Sequence, residues 1–321
     1  MISVILATHN GSDTIARTLE ALSLLQAPKG GWELLVVNNA STDDTEARVL
    51  AWQDRLPLTY RIEPRLGKSH ALNAGLKLAR GDLIVMTDDD VLPDPDWLIQ
   101  WDSTAGNFPQ CSFFGGAVVP EFGAMRPPSV LPAGEYGILY GATHDAPEGP
   151  LAPSWKTGLY NAAGANIAIR RSVRDEGHRF DTELSVGSGG IMGEDTEFIN
   201  RLARAGHRMG FSPKARLRHI IQPHQLTWSW IYRRFVRGGR CDFMLLDVRQ
   251  DNAGRLQFRF PHHRIPSALG SLARLVPAAL RRNERQLFRQ AHGLACDLGA
   301  LQQAAWLCFS RKPRPSREAA S

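Results

Sequence analysis

Residues 81–97 read GDLIVMTDDDVLPDPDW. The apolar run Leu83 to Met86 has the pattern of a buried strand. It delivers Thr87 and three consecutive carboxylates, Asp88, Asp89 and Asp90, to its C-terminal end, and Pro93 and Pro95 then forbid simple continuation. Three adjacent carboxylates repel one another. They are tolerated most easily in water or around a cation, and hard oxygen ligands at a strand end suit Mg2+ or Mn2+ where a phosphate supplies the remaining ligands. A solvated acidic turn is the alternative reading of these residues taken alone.

Upstream, the same unit recurs. Ile2 to Ala7 reads as a buried strand ending in Thr8, His9, Asn10 and Gly11, and a helix follows with Ile15, Leu19 and Leu22 at spacings of four and three. Glu33 to Val37 is a second strand, closed by Asn38, Asn39, Ala40, Ser41 and Thr42, where Ser41 or Thr42 is placed to cap a helix carrying Val49 and Trp52. A weaker strand, Leu58 to Ile62, leads through Arg65 to Ser69 into a helix with Ala71, Leu72, Leu76 and Ala79. Strands alternating with helices define an α/β protein with a mostly parallel sheet, whose ligand site lies beyond the carboxyl ends of the strands at a switch in strand order. The loops carrying Thr8, Asn38, Lys68 and Asp88 to Asp90 are therefore expected to converge. Two phosphate-binding motifs fail on spacing. Gly67-Lys68-Ser69 lacks the earlier P-loop glycine, since Ile62 stands there, and Thr8 to Asp13 reads THNGSD rather than GxGxxG.

Downstream, Cys111 to Val119 (CSFFGGAVV) is a strand in which Gly115 and Gly116 mark a bulge or a close backbone approach. Residues 120–153 are rich in Pro and Gly, as befits a lid or binding segment. Asn161 to Arg170 is a glycine-led strand. A flexible Gly187 to Gly193 then opens an amphipathic helix marked by Phe198, Ile199, Leu202 and Ala205, with Glu194 and Asp195 in its first turn. Capping the helix dipole is the plain reading of that acidic pair. Its alternative is proton abstraction, to which the first acidic cluster gives weight.

Together these segments resemble the inverting family 2 glycosyltransferases of GT-A fold. The resemblance is carried in order by ATHNGSDTIARTLEAL, VVNNASTDDT, GKSHALNAGLKLARGDLIVMTDDDVLPDPDWL, GANIAIRR and GEDTEFINRLARAGHR, across residues 1 to about 240. It implies a Rossmann-like GT-A domain over residues 1–225, a basic helical extension over 226–310 and a frayed tail over 311–321. It implies nucleotide-sugar binding by Thr8, His9, Asn10, Asn38, Lys68, Asp88 and Asp89, with Asp88 at the ribose. Asp90, with Asp88 and His219, would hold the divalent cation, and Asp195 would serve as catalytic base beside Glu194. Many members have Asp where this chain has Asn38, which leaves the nucleobase among UDP, GDP and dTDP open. A QxxRW signature is absent, the nearest segment being Trp230 to Phe235, so one sugar per encounter is expected. The implied reaction is metal-dependent inverting transfer to an acceptor hydroxyl, a lipid-linked saccharide among the candidates, in cell-surface polysaccharide or glycolipid synthesis. A nucleotidyltransferase and a non-catalytic sugar-nucleotide or nucleic-acid binder are the competing classes.

Charge and composition add location. No basic n-region or cleavage-site signature precedes the first strand, so no secretory signal is expected. No window of about 18 apolar residues is free of charge, and membrane contact is expected to be peripheral. Four scattered cysteines predict neither disulfides nor a zinc framework and fit a reducing cytoplasm. Between Arg201 and Arg240 ten cations occur without one Asp or Glu, a block that expects phosphate, anionic lipid or, with less support, nucleic acid. Leu287, Ala291, Leu294, Leu298, Leu301, Ala305 and Cys308 form a regular helical stripe. It is read as the packing face of a helix, or as an interfacial face at the inner surface of the cytoplasmic membrane.

Overall fold

The computed structural model describes residues 1–128, 131, 136–143, 146–153, 162–182, 192–250 and 256–309. Most of the expected flexible stretch Gly187 to Gly193, the first residue of the Asn161 to Arg170 strand, parts of the Pro/Gly segment and the tail from Arg311 lie outside the described residues. The chain divides into two compact units, residues 1–125 with 140–222, and residues 126–139 with 223–321.

The first unit is built on one sheet of nine strands. These are β1 (Ile2–Thr8), β2 (Trp32–Asn38), β3 (Leu58–Ile62), β4 (Leu83–Asp88), β5 (Val91–Pro93), β6 (Phe113–Glu121), β7 (Gly149–Pro150), β8 (Ile167–Arg170) and β9 (Met209–Ile220). Their order is β3-β2-β1-β4-β8-β6-β9-β5, with β7 paired to β9. The first four strands are parallel neighbours. Beyond β4 the sheet is mixed: β8 runs antiparallel to both β4 and β6, whereas β9 is parallel to β6. β2 and β3 extend the sheet from one side of β1 and β4 from the other, which places the switch in strand order between β1 and β4.

Alternation along β1 divides its side chains between two cores. Ile2, Val4 and Leu6 join the apolar layer covered by α1 (Ile15–Ser23), α2 (Thr45–Leu50) and α4 (Trp97–Asn107), while Ile5 and Ala7 join the layer under α3 (Lys68–Leu78), α6 (Arg171–Asp175) and α7 (Glu194–Arg204). With both faces covered, every residue of β1 is buried, which is why the strand reads as a continuous apolar run. Close approach of α3 depends on Gly75, where an added Cβ would meet Ile5 Cγ2 at 2.5 Å.

Several local expectations are corrected. Ser41 and Thr42 do not cap α2, which starts at Thr45; Ser41 Oγ accepts from Asn10 N, and the Thr42 N–H donates to Asn10 Oδ1, so both are held by the β1 loop. Trp52 and Ala79 fall just past the ends of α2 and α3. β6 runs on through Pro120 to Glu121, with a register shift between Gly116 and Ala117. The acid-free run of cations is neutralised in part by acids far away in sequence: Lys214 pairs with Glu148, Arg216 with Asp94 and Arg218 with Glu121. A charge block in one dimension is not a bare patch in three.

In the second unit α8 (Trp228–Asp242), α9 (Arg264–Leu280) and α10 (Glu284–Phe309) accompany a short hairpin of β10 (Val248–Gln250) and β11 (Leu256–Phe258). The leucine stripe is not the buried face of α10. Phe288, Ala295, Asp297, Gly299, Ala300, Gln303 and Ala304 are buried, whereas Leu287, Leu294, Leu298 and Leu301 stay half-exposed. A Cβ added at Gly239 of α8 or Gly299 of α10 would collide with a facing backbone carbonyl, of Cys296 or Val236. Helices that approach so closely must pack through their smallest side chains.

Candidate active site

The chain reverses sharply after β4, so that Asp88, Asp89 and Asp90 lie at the carboxyl end of the strand beside the switch point. Each carboxylate has a different partner. Asp88 Oδ1 lies 2.5 Å from Lys68 Nζ, at the first residue of α3. Asp89 accepts a hydrogen bond from Thr8 Oγ1 at the end of β1, and its backbone carbonyl accepts from Thr18 Oγ1 of α1 at 2.9 Å. Asp90 Oδ2 lies 3.1 Å from His219 Nε2 near the end of β9. The other face of that ring is fixed, since Nδ1 donates to the Tyr140 carbonyl at 2.8 Å. This bond fixes the orientation of the ring and aims Nε2 at Asp90.

The second acidic pair joins the same cluster. Glu194 Oε1 lies 3.9 Å from Lys68 Nζ, so one half-buried ammonium faces both acidic sites. Asp195 is held on each side by backbone: Oδ2 accepts from Gly164 N at 2.7 Å and Oδ1 from Thr196 N at 2.7 Å. Five carboxyl groups thus gather around two cations, Lys68 and His219. Burial, then the charge of Asp90, pushes the Asp89 carboxyl up to about 7, and burial with Asp195 does the same to Glu194. Burial works against the charged forms of His219, Lys68 and Asp90 as well, but there the opposite charges win. Asp90 holds the imidazole up at about 9, Asp88 and Glu194 raise Lys68, and His219 keeps Asp90 below the usual carboxylate range. Asp90 Oδ1 is buried with no hydrogen-bond partner among the described residues. An excess of buried carboxylate oxygen with one acceptor unpaired fits a hard divalent cation.

The remaining sequence-predicted residues hold the rim. Asn38 is buried with both ends of its amide engaged: Nδ2 donates to Tyr60 Oη at 2.7 Å and Oδ1 accepts from Ser41 N at 3.0 Å. His9 and Asn10 are exposed; His9 Nδ1 donates to the Asn39 carbonyl at 2.6 Å, and Asn10 takes the left-handed conformation with φ of 51°. Their hydrogen bonds, to Asn39, Ser41 and Thr42, tie the β1 loop to the β2 loop.

Sequence reasoning passed over three residues that position the others. Asn39 accepts from Gly67 N at 2.7 Å and donates to the Arg65 carbonyl at 2.7 Å, shaping the entry to Lys68. Gly11 allows the Thr8–Asp89 contact, because an added Cβ would overlap both side chains. Asn166 is fully buried; it accepts from Trp97 Nε1 at 2.9 Å and donates to the carbonyls of Ala117 and Ala215 at 2.9 and 2.8 Å. Thr87 Oγ1 donates to the neighbouring Ala165 carbonyl at 2.9 Å. The short 3-10 turn of Gly164–Asn166 is therefore locked to β4, β6 and β9 while it carries the backbone donor to Asp195. A Gly-Ala-Asn triplet gives no periodic signal, and only its position in the family-like run marked it.

A separate trio, Glu176, His178 and His207, brings three ligand atoms near one another at the C-terminal ends of α6 and α7. His207 Nε2 lies 3.1 Å from Glu176 Oε2 and 3.3 Å from His178 Nε2. α7 has 11 residues, so this trio and the Glu194–Asp195 pair are at opposite ends of a rod about 16 Å long.

A mixed sheet with this switch in strand order, flanked by helices, is the fold of the GT-A glycosyltransferases. The mannosyltransferase PcManGT from Pyrobaculum calidifontis, solved with GDP-Man and Mn2+, shares the fold with a TM-score of 0.60 at 20% identity, over 94% of this chain and 86% of that one. Residues 3–100 match the family model described as Glycosyl transferase family 2. The succinoglycan biosynthesis protein ExoM of Rhizobium meliloti is 26% identical over 237 residues, 72% of this chain and 71% of that protein. The glucosyl-dolichyl phosphate glucuronosyltransferase of Haloferax volcanii is 27% identical over 175 residues, and this chain spans only 54% of its length.

Proposed function

We propose that the protein is a metal-dependent inverting glycosyltransferase that moves one sugar from a nucleoside-diphosphate sugar to an acceptor hydroxyl in polysaccharide or glycolipid synthesis. The observation that carries this reading is Lys68 Nζ standing between Asp88 and Glu194, which joins the Asp88–Asp90 cluster and the Glu194–Asp195 pair into one site. Asp90, with Asp88 and His219, would hold Mg2+ or Mn2+, the cation replacing the proton on His219 Nε2 that Asp90 otherwise stabilises; the donor set is oxygen-rich with one buried oxygen unpaired. Such a cation, when bound, supplies positive charge where a departing diphosphate becomes more negative.

The chain's own residues do the rest. Lys68, held by Asp88, presents a fixed ammonium to the donor phosphates, and Glu194 helps to place it. Thr8, Asn10 and Asn38, at the carboxyl ends of β1 and β2, frame the nucleoside pocket. Asp195 accepts the proton of the acceptor hydroxyl as that oxygen bonds to the anomeric carbon; the bond to the diphosphate breaks on the opposite face, its electron pair leaves with the nucleotide, and configuration inverts. Both Asp195 oxygens already hold a backbone donor, so the base is oriented before the acceptor arrives. The Haloferax relative acts by its name on a glucosyl-dolichyl phosphate, which supports a lipid-linked saccharide as acceptor.

A thermal-shift screen of UDP-, GDP- and dTDP-sugars with Mn2+ or Mg2+ identifies the donor, since a ligand of the folded state raises its melting temperature. With that donor, Asp195→Asn is expected to lower turnover by about 10²–10⁴-fold while nucleotide affinity stays within a factor of two or so. Wild-type turnover by this variant would remove Asp195 as the base.

A further inference from the structure

Among the described residues no helix is long and apolar enough to cross a membrane. One helix nevertheless places its large apolar side chains on the outside. α9 buries Ala268, Ser271 and Ala278, with Leu275 partly covered, while Ile265, Leu269, Leu272, Val276 and Leu280 are 42%, 61%, 53%, 63% and 81% exposed. At about 100° per residue those five lie within roughly 80° of one another, along a helix about 25 Å long. Trp228 with Tyr232 on α8 and Trp306 with Phe309 on α10 form shorter exposed pairs, and Met1, Leu24 and Ile62 stand alone. Scattered apolar residues are ordinary on any surface, but a continuous stripe on one helix face is not.

The inward face of α9 is already committed. Arg264 Nη1 lies 3.1 Å from Asp297 Oδ1, and a Cβ on Gly293 would approach Ser271 Oγ to 3.3 Å, so α9 and α10 form an antiparallel pair joined through small residues. Folding therefore does not account for the stripe. Charge indicates what covers it. Arg274, Arg281, Arg282, Arg285 and Arg289 are exposed around the turn from α9 to α10, with Glu284 the one acid between residues 274 and 289. None of the five arginines has an ion pair among the described residues. Leu280, the most exposed leucine of the stripe, directly precedes Arg281 and Arg282.

We propose that the exposed face of α9 docks onto an anionic lipid bilayer, seating Ile265, Leu269, Leu272, Val276 and Leu280 at the acyl boundary while the arginines of the α9–α10 turn meet lipid phosphates. An amphipathic helix with this division lies in the interface plane, its apolar side sunk about 5–10 Å, and binds by buried apolar area together with attraction to acidic headgroups. The inference concerns binding rather than turnover and stands apart from the catalytic reading.

The test is flotation of the full chain with phosphatidylcholine vesicles containing phosphatidylglycerol, and with phosphatidylcholine alone, at low and high salt. Wild type is expected to float with the anionic vesicles and to bind less well as salt rises. Leu269→Ser/Leu272→Ser should lose at least tenfold in partitioning. Arg281→Gln/Arg282→Gln/Arg285→Gln should lose about a hundredfold, the worth of three charges near such a surface. All substituted residues are exposed, and an unchanged melting temperature verifies that each variant is folded. Asp195→Asn should float as wild type does, so failure of the base assignment and failure of docking are told apart. Flotation of the leucine variant equal to wild type overturns the proposal. So does a wild-type chain that ignores vesicles but forms a dimer in sedimentation velocity that Leu272→Ser dissociates, which would assign the stripe to a second copy.

Discussion

A single methyl group at Gly164 tests whether the position of Asp195, rather than its mere presence, sets the rate. In the structure a Cβ at residue 164 would lie 2.7 Å from Asp195 Oδ2 and 3.1 Å from Asp195 Cβ. Ordinary contact begins at 3.4 Å, so the carboxylate must retreat by about 0.7 Å or swing off the Gly164 N–H. The backbone of Gly164 is not in the left-handed region, and alanine is tolerated there on conformational grounds. Because Asp195 is only partly buried, relief by its movement should limit the stability loss to about 1 kcal/mol, or roughly 2–4 °C in Tm. A base displaced by somewhat under 1 Å costs about 30–100-fold in turnover.

Gly164→Ala is therefore expected to lower kcat by about 30–100-fold, with the KM for the donor nearly unchanged, in an assay of nucleoside diphosphate release. Comparison with Asp195→Asn matters here. The asparagine keeps the shape and loses the base; the alanine keeps the base and loses its place. A folded Gly164→Ala enzyme with kcat within threefold of wild type would refute the reasoning, as would a loss confined to donor affinity.

Three further outcomes follow from the same geometry. Calorimetric titration of Mn2+ should show a heat that Asp90→Ala abolishes and His178→Ala/His207→Ala preserves; the reverse result would move the functional cation to the trio beyond the end of α7. Asn166→Ala strands Trp97 Nε1 and two carbonyls in a fully buried site and should cost about 3 kcal/mol or more, read as a fall in Tm of roughly 6–12 °C. Glu33 is buried at the base of β2, and although burial alone would raise its pKa, the Ser3 hydroxyl and Arg80 hold the carboxyl below the usual carboxylate range. A depressed folded-state pKa contributes stability above the unfolded value and loses it as pH falls through the folded one. Glu33→Gln should therefore be less stable than wild type by about 1–2 kcal/mol at pH 7, discounted for the exposure of Arg80, and the gap should close as denaturant melts are taken below about pH 4.5.

The first half of the fold was legible because β1, β2 and β4 are buried on both faces and each loop ends in polar residues; β3, an exposed edge strand, gave the weaker signal. Local pattern alone then separates strand, loop and helix from Ile2 to Met86. In the second half the strands at Cys111–Val119 and Asn161–Arg170 and the helix after Gly193 were legible, but the order of the strands was not, since β8 and β9 are placed by pairing with strands far away in sequence: Ala168 sits between Val85 and Phe114, and His219 opposite Val91. The acidic residues at the site were nameable from the family-like motifs. Their supports were not. Asn39, Gly11 and Asn166 act through single hydrogen bonds or through the lack of a Cβ, and neither leaves a period in the chain.

The leucine stripe of α10 shows the opposite case, in which a strong period is read as a packing face or an interfacial one and the buried face proves to be another. Hydrophobic periodicity identifies which side of a helix avoids water, and packing inside a protein is only one way to achieve that. Where Gly239 and Gly299 bring α8 and α10 nearly backbone to backbone, there is no room for leucine between them, and the larger side chains are displaced to the flanks. α9 carries the same division further, with Ala268, Ser271 and Ala278 inside and five large apolar residues outside. In this unit side-chain size decides what goes inward, and the most hydrophobic positions are those left over for a second apolar environment. That is why the vesicle experiment bears on the fold as well as on location: the outward leucines of α9 have no role in folding the unit, and their replacement by serine should leave its stability intact.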